Sequence, residues 1–468
     1  MVGRLVLFVG LCVVSVQARA AEFYVDPAKG SPRGDGSAER PWRTIQEGLD
    51  AGLIESQQWD KLPYSEQSML VAKNAGAPVR AGDTIWLRSG FHGDVEIDRY
   101  YNLGHITIAA EEGHTPCLSS LRIRSSSHWT IRGLSISAEF GQSYQRRTLV
   151  HLESHNWRGP VHDIVVEDCA IRSVADASAW TAEDWDQLAC NGLKVDGTRM
   201  TIRNNRLLNV NFGISVDASH SLITGNLVEN FAGDGLRGLG DHCTFEYNTV
   251  KNCYDVNANH DDGFQSWSVG PDGVGSGEVV GVVLRGNTII NYVDPNQLHR
   301  GALQGIGCFD GTFVDWVIEN NVIITDHWHG ITLLGARDCL VINNTVLDRN
   351  DTRPGPPSIR INNHKNGTAP VNCVVRNNLA TAFSNAADVL EENNLRVDDP
   401  AVLFVDADQF DLHLLPGAAA IDTGSSVDAP KLDRDRIARP QGNGIDIGAY
   451  EWHVDDVLPV EESIGDPR

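Results

Sequence analysis

"MTIRNNRLLN" (200–209), "SLITGNLVEN" (221–230) and "CTFEYNTVKN" (243–252) are one pattern written three times. Each alternates apolar and polar residues, reaches an asparagine, and alternates again. "VVLRGNTIIN" (282–291), "WVIENNVIIT" (316–325), "CLVINNTVLD" (339–348) and "CVVRNNLATA" (373–382) continue it. With Asn205, Asn226, Asn248, Asn287, Asn321, Asn344 and Asn378 as markers, the steps are 21, 22, 39, 34, 23 and 34 residues. The apolar period is 2 rather than 3.6, and Val, Ile and Thr are abundant, so the segments read as strands. A step near 22 residues with occasional long insertions reads as a solenoid whose loops vary on one side. Each repeat is then a coil of short strands, stacked in parallel at about 4.8 Å. An asparagine at the same place in every coil can pass side-chain hydrogen bonds up the stack. These asparagines are read as structural.

A second pattern precedes the asparagine strands: "NGLKVDG" (191–197), "FGISVDA" (212–218), "DGLRGLG" (234–240), "DGFQSWS" (262–268) and "HGITLLG" (329–335). Each begins with a residue followed by glycine, read as the permissive residue of a tight corner. Stacking makes columns of this alignment. The residues before glycine are Asn191, Phe212, Asp234, Asp262 and His329; two after it come Lys194, Ser215, Arg237, Gln265 and Thr332. "GALQGIG" (301–307) is read as placing Gln304 in the same stripe as Gln265. Alternation sends Leu193, Leu236 and Phe264 inward and the polar residues outward. Asp234 and Asp262 then lie one coil apart, and Lys194 and Arg237 two. His260 and Asp261 arrive just before the Asp262 corner. The insertions at 173–190, 252–262, 266–280 and 291–300 could wall a groove over this face, the usual setting for function on a rigid scaffold.

The 468-residue chain carries a formal charge of -24, which argues against a basic nucleic-acid groove. Arg4, an apolar run and Ala18-x-Ala20 read as a secretory signal peptide (1–20) cut after Ala20, so a secreted or periplasmic protein is expected, with no membrane span. Eight cysteines follow it without a Cys-x-x-Cys pair, so no zinc clip is evident. Their apolar strand positions suit buried thiols, although an oxidising compartment permits bridges.

With the repeats, "FYVDPAKGSPRGDGSAERPWRTIQEGLDAG" (23–52), "AGDTIWLRSGFHG" (81–93), "DLHLLPGAAAIDTG" (411–424) and "RPQGNGIDIGAYE" (439–451) give the chain a resemblance to the right-handed parallel β-helix proteins of the pectate-lyase-like superfamily. The expected fold is all-β. An N-terminal cap and entry segment (21–95), with a helix near Thr44–Gly52, precedes the β-helix (96–400), and a closing segment and tail (401–468) follows. A cap is needed because an open coil is an unpaired sheet edge.

The resemblance implies a secreted, polysaccharide-active protein, expected to be monomeric. The leading expectation is a lyase acting by β-elimination on an anionic, uronic-acid-containing polymer of alginate or pectate type. Its carboxylate would be neutralised by Ca²⁺ or by cationic side chains, with Lys or Arg as the base. Asp234, Asp261 and Asp262 suit a hard cation such as Ca²⁺. Lys194 or Arg237 is the candidate base and His260 an acid or alternative base. Gln265, Trp267, Gln304 and His329 are the candidate substrate contacts. The structural alternatives are turn aspartates, solvated or ion-paired lysine and arginine, and a partly buried Trp267. A C5-epimerase shares the proton abstraction, but the Asp-Pro-His motif associated with β-helix epimerases is absent. A glycoside hydrolase would use Asp234 and Asp262 as its carboxylate pair. "HWHGITLLG" (327–335) and "SIRINNHK" (358–365) faintly resemble polygalacturonase segments. The two histidines of "HWH" face one side of a strand, but no third metal ligand is evident. A non-catalytic carbohydrate-binding protein would instead use aromatic platforms, for which Trp180, Trp185 and Trp267 are candidates.

Overall fold

The computed structural model describes residues 20–453. The expected signal peptide up to Arg19 and the end of the tail lie outside them. The chain winds into a right-handed parallel β-helix with three principal sheets, of fifteen, twelve and eleven strands. The first sheet takes the strands before the marker asparagines, such as Thr201–Arg203, Leu222–Thr224 and Thr244–Glu246. The second takes those after them, such as Arg206–Val210, Leu227–Phe231 and Thr249–Cys253. The third runs from Asp94–Asp98 to Ala382–Phe383 and holds the glycine-led strands. Glu22–Val25 already pairs in parallel with Thr84–Leu87, so the entry segment supplies strands as well as a cap. The cap helix is Ile45–Asp50, started by the Thr44 side chain accepting from the Glu47 amide. Its Ile45 and Leu49 seal the end of a core of in-facing Val, Ile, Leu and Phe that runs the length of the coils.

The asparagine column forms one continuous ladder. From Asn226 onward each carboxamide oxygen accepts two hydrogen bonds from the preceding coil, as Asn226 Oδ1 does from the Asn205 backbone amide and from Asn205 Nδ2, both at 3.0 Å. Each Nδ2 also donates to a backbone carbonyl, as Asn248 does to Ile223 at 2.9 Å. The ladder continues through Asn248, Asn287, Asn321, Asn344 and Asn378 and ends on Asn394. The residue before each rung is left-handed, with φ of 55° at Asn204, 53° at Asn343 and 55° at Asn377. Asparagine tolerates that region better than most residues, which accounts for the Asn-Asn pairs in the sequence. A parallel ladder joins Asn209, Asn230 and Asn252.

The closing segment folds back along the solenoid. Leu403, Phe404, Leu412, Leu414 and Ile447 cover Ile290, Ile324, Leu347 and Leu379 on the outside of the second sheet. A wholly buried Arg439–Glu451 ion pair ties it down. The second sheet is thereby roofed, while the outer face of the third is left for the insertions. All eight described cysteines are free thiols, seven of them buried. No helix among the described residues is long and apolar enough to cross a membrane.

Replacing Asn248 with Ala strands two donors of the neighbouring coil and a carbonyl in the core, each worth about 1–3 kcal/mol. A loss of about 3 kcal/mol or more in denaturant unfolding is expected, and a loss below about 1 kcal/mol would show that the ladder is not what holds the coils.

Candidate functional site

The outward stripe of the third sheet reads Lys194, Ser215, Arg237, Gln265, Gly307, Thr332, Arg360, each in register with the next. Lys194 and Arg237 are thus two coils apart, as their spacing implies. Gln304 is not in this stripe. It pairs with Asp262, because the corner glycine of its coil is Gly305, which makes Gln304 the residue before glycine. The corner glycines also have a different cause from the one expected. Gly213, Gly235, Gly263 and Gly305 do not need a left-handed φ. They are glycines because a Cβ would lie 2.2–2.9 Å from a carbonyl oxygen of the next coil.

Over the Arg237 and Gln265 positions opens a cleft of about 430 Å³, lined by Phe212, Asp234, Arg237, Ala258, Asn259, His260, Gln265, Ser266, Trp267, Val274, Phe309 and Asp310. Its floor is the third sheet. Its walls come from the 252–262 insertion and from the hairpin of Val269–Gly270 with Gly273–Val274. The Arg237 guanidinium is fixed from two sides. It lies 3.7 Å from the centre of the Phe212 ring, and its Nε donates to Asp234 in a close ion pair. Trp267 flanks it at 5.4 Å. The other Asp234 oxygen accepts the backbone N–H of Asp262 at 3.1 Å.

Asp262 lies under the floor with 0% exposure. Its Oδ2 accepts from Gln265 Nε2 at 3.0 Å and faces His260 Nδ1 at 3.3 Å. Its Oδ1 has no partner and points at Gly307. A Cβ at 307 would be 2.1 Å from that oxygen, so the gap in the outward stripe is the room the carboxylate occupies. The His260 side chain is 65% exposed at the cleft. With Nδ1 turned to Asp262, its Nε2 is left for the cleft. The result is a buried carboxylate behind an exposed imidazole, across from a fixed arginine. Burial pushes Asp262 up to about 8, and the hydrogen bond that the His260 ring gives to Asp262 raises His260 above the ordinary imidazole value. Burial also raises Asp234, against the pull of Arg237.

The other sequence candidates fall around this centre. Asp261 points to the opposite side, where Cys253 Sγ donates to it at 3.4 Å, and burial pushes it up to about 7. Lys194 lies outside the cleft, 3.9 and 3.8 Å from Asp196 and Asp217. His329 is beyond the cleft but packs, tilted, against its lining residue Phe309 with ring centres 4.7 Å apart. Trp180 and Trp185 are not platforms. They pack edge to face, and Trp185, 1% exposed, stacks on Tyr254 at 4.3 Å, pinning the 173–190 insertion to the loop that carries His260. Phe212 and Phe309 were not singled out as functional from sequence, although Phe212 stood in the right column.

The three aspartates expected as calcium ligands do not converge on one point. Asp234 is closed by Arg237, Asp262 by Gln265 and His260, and Asp261 faces away. Among the described residues, the group whose ligand atoms all lie within 4.8 Å of one another is His128, His162 and Asp163, on the first sheet. Arg199 donates to both oxygens of that Asp163.

Residues 191–346 match the family model described as right handed beta helix region. A search of curated proteins finds no match. Among solved structures, the chain is similar to XylC in its complex with xylose, at 10% identity over 92% of this chain and 98% of that one, with a TM-score of 0.54. It is also similar to pectate lyase Pel9A, at 15% identity over 93% and 97% with a TM-score of 0.44. At these identities the likeness is one of fold.

A carboxyl raised on folding binds its proton more tightly in the native than in the unfolded chain. Its contribution to stability therefore falls as pH climbs from about 4 through about 8. Asp262→Asn removes this term. The variant is expected to melt higher than the wild type near pH 9 and alike near pH 4. Equal melting temperatures at both pH values would show that Asp262 is not a destabilising buried acid.

Proposed function

We propose that the chain is a polysaccharide lyase that cleaves a uronic-acid-containing polysaccharide by β-elimination in the Arg237–His260 cleft. The observation that carries this reading is the exposed His260 ring backed by the wholly buried Asp262, facing a guanidinium that Asp234 and Phe212 hold in place. Arg237 meets the sugar carboxylate and stabilises the charge that develops on it as the C5 proton leaves. His260 Nε2 takes that proton. The C5–H electrons form the C4=C5 double bond, the C4–O bond breaks, and the leaving oxygen takes a proton from solvent. Asp262 holds the imidazole in orientation and favours its protonated form. Trp267 and Phe309 offer faces for sugar rings, and Gln265, its amide spent on Asp262, steadies the floor.

Hydrolysis is the second reading, favoured by the two carboxyl groups of Asp262 and Asp234 on adjacent coils. It is weakened because Asp262 is covered by His260 and Gln265, so the pair cannot flank a glycosidic bond. Calcium enters no step of this account.

A panel of alginate, pectate and neutral polysaccharides separates the readings. New C4=C5-unsaturated ends, seen by ultraviolet absorbance, are expected on an acidic polymer, whereas reducing ends without unsaturation would mean hydrolysis. His260→Ala is expected to lower kcat on the order of 10²-fold or more while leaving the fold intact by circular dichroism. Dialysis against EDTA is expected to leave turnover within about twofold, since the charge is covalently supplied by Arg237. Loss of activity with recovery on adding calcium would contradict that assignment.

A further inference from the structure

Further up the same face, where the pattern "HWH" was noted in sequence, lies a cluster that the cleft chemistry does not use. Arg360 stands in the outward stripe in register with Thr332, three coils beyond Gln265 and four beyond Arg237. Its neighbours Ile359 and Ile361 are wholly buried, so its side chain faces the groove. In a chain of net charge -24, it has no ion pair or hydrogen bond among the described residues, and its Nε is buried without a partner. A buried, unpartnered guanidinium nitrogen is costly unless something is meant to meet it.

The surroundings suit an anion bound to a sugar. His327 and His329 stack with ring centres 5.0 Å apart, and Trp328 beside them is 46% exposed. His327 Nδ1 accepts the His329 backbone N–H at 3.1 Å, which fixes the tautomer and leaves Nε2–H to donate outward. His329 Nδ1 is engaged with Thr332 Oγ1 at 2.9 Å. Burial lowers His327 to about 4 and His329 to about 3, with the Arg360 charge adding to it, so both rings are neutral donors and Arg360 is the fixed cation. Phe309 joins the cluster to the cleft, since it lines the cleft and packs at a tilt against His329.

We propose that Arg360, His327 and Trp328 form an oxyanion-binding subsite that holds the carboxylate or sulfate of an acidic sugar residue, with Trp328 as the platform for its ring. This rests on the reading of the cleft as a polysaccharide site and adds a second point of charge recognition. At about 4.8 Å per coil, Arg360 is roughly 19 Å along the groove from Arg237. Only an acidic oligosaccharide long enough to span that distance engages both arginines.

The test is binding of oligouronates of increasing length, sulfated oligosaccharides and neutral xylo-oligosaccharides to the untagged full chain by calorimetry. Wild-type protein is expected to bind long acidic oligomers more tightly than short ones, and Arg360→Gln to weaken the long ones by about tenfold or more without changing the short or neutral ones. Arg360→Lys is expected to retain part of the affinity, and Trp328→Ala to lose affinity without a change in melting temperature, which keeps the test open if Arg360→Gln folds poorly. Stronger binding of uronates or of sulfated chains identifies the oxyanion. Equal affinity of wild type and Arg360→Gln for long acidic oligomers, or no wild-type binding to any acidic probe, overturns the subsite. Binding that depends on Arg360 without unsaturated product keeps the subsite and removes the lyase reading. Unsaturated product whose KM is indifferent to Arg360→Gln does the reverse.

Discussion

Everything in this molecule depends on each coil sitting squarely on the one below. The asparagine ladder enforces this at the bend where backbone groups would otherwise be buried without partners. A carboxamide has two acceptor positions and two donors, and each rung from Asn226 to Asn378 uses all four, as Asn226 does. A slip of one residue would break the rung and turn every in-facing Ile and Val outward. Because register is held, residues far apart in sequence become neighbours at one strand spacing. Asp234 and Asp262 are 28 residues apart, yet the backbone of one donates to the side chain of the other.

The cleft spends stability that the ladder and core provide. Asp262 sits under the floor with one oxygen unmet, Asp261 is buried against a thiol, and the Arg237 guanidinium is held against Asp234. An ordinary side chain at Gly307 would drive Asp262 out of its seat. Buried acids of this kind are poor structural elements, and their natural use is to set the orientation and proton affinity of a neighbour that meets solvent. His260 is that neighbour.

The solenoid was legible in the sequence because its signal repeats. A period of two, a marker every coil and glycine-led strands fix the stacking, and from it follow the adjacency of Asp234 and Asp262 and the two-coil separation of Lys194 from Arg237. Gln304 was misplaced because "GALQGIG" holds three glycines, and alternation alone does not say which one meets the next coil. The burial of Asp261 and Asp262, the exposure of His260 and the loss of Trp185 to a local core were not legible. They are set by how the 173–190 and 252–262 insertions pack on each other through Trp185 and Tyr254, and insertions carry no repeat from which to read their contacts. The unpaired state of Arg360 was hidden for a related reason: sequence shows a cation, not the absence of its counterion.

The central claim is that the buried carboxylate of Asp262 governs the proton affinity of the exposed His260 imidazole. Its most direct test is an NMR titration of the His260 ring in the wild type and in Asp262→Asn. The account predicts a wild-type value above the ordinary histidine value of about 6.5 that falls in the variant, with the acid limb of kcat/KM moving down by the same amount. An unchanged His260 titration in the variant would contradict it.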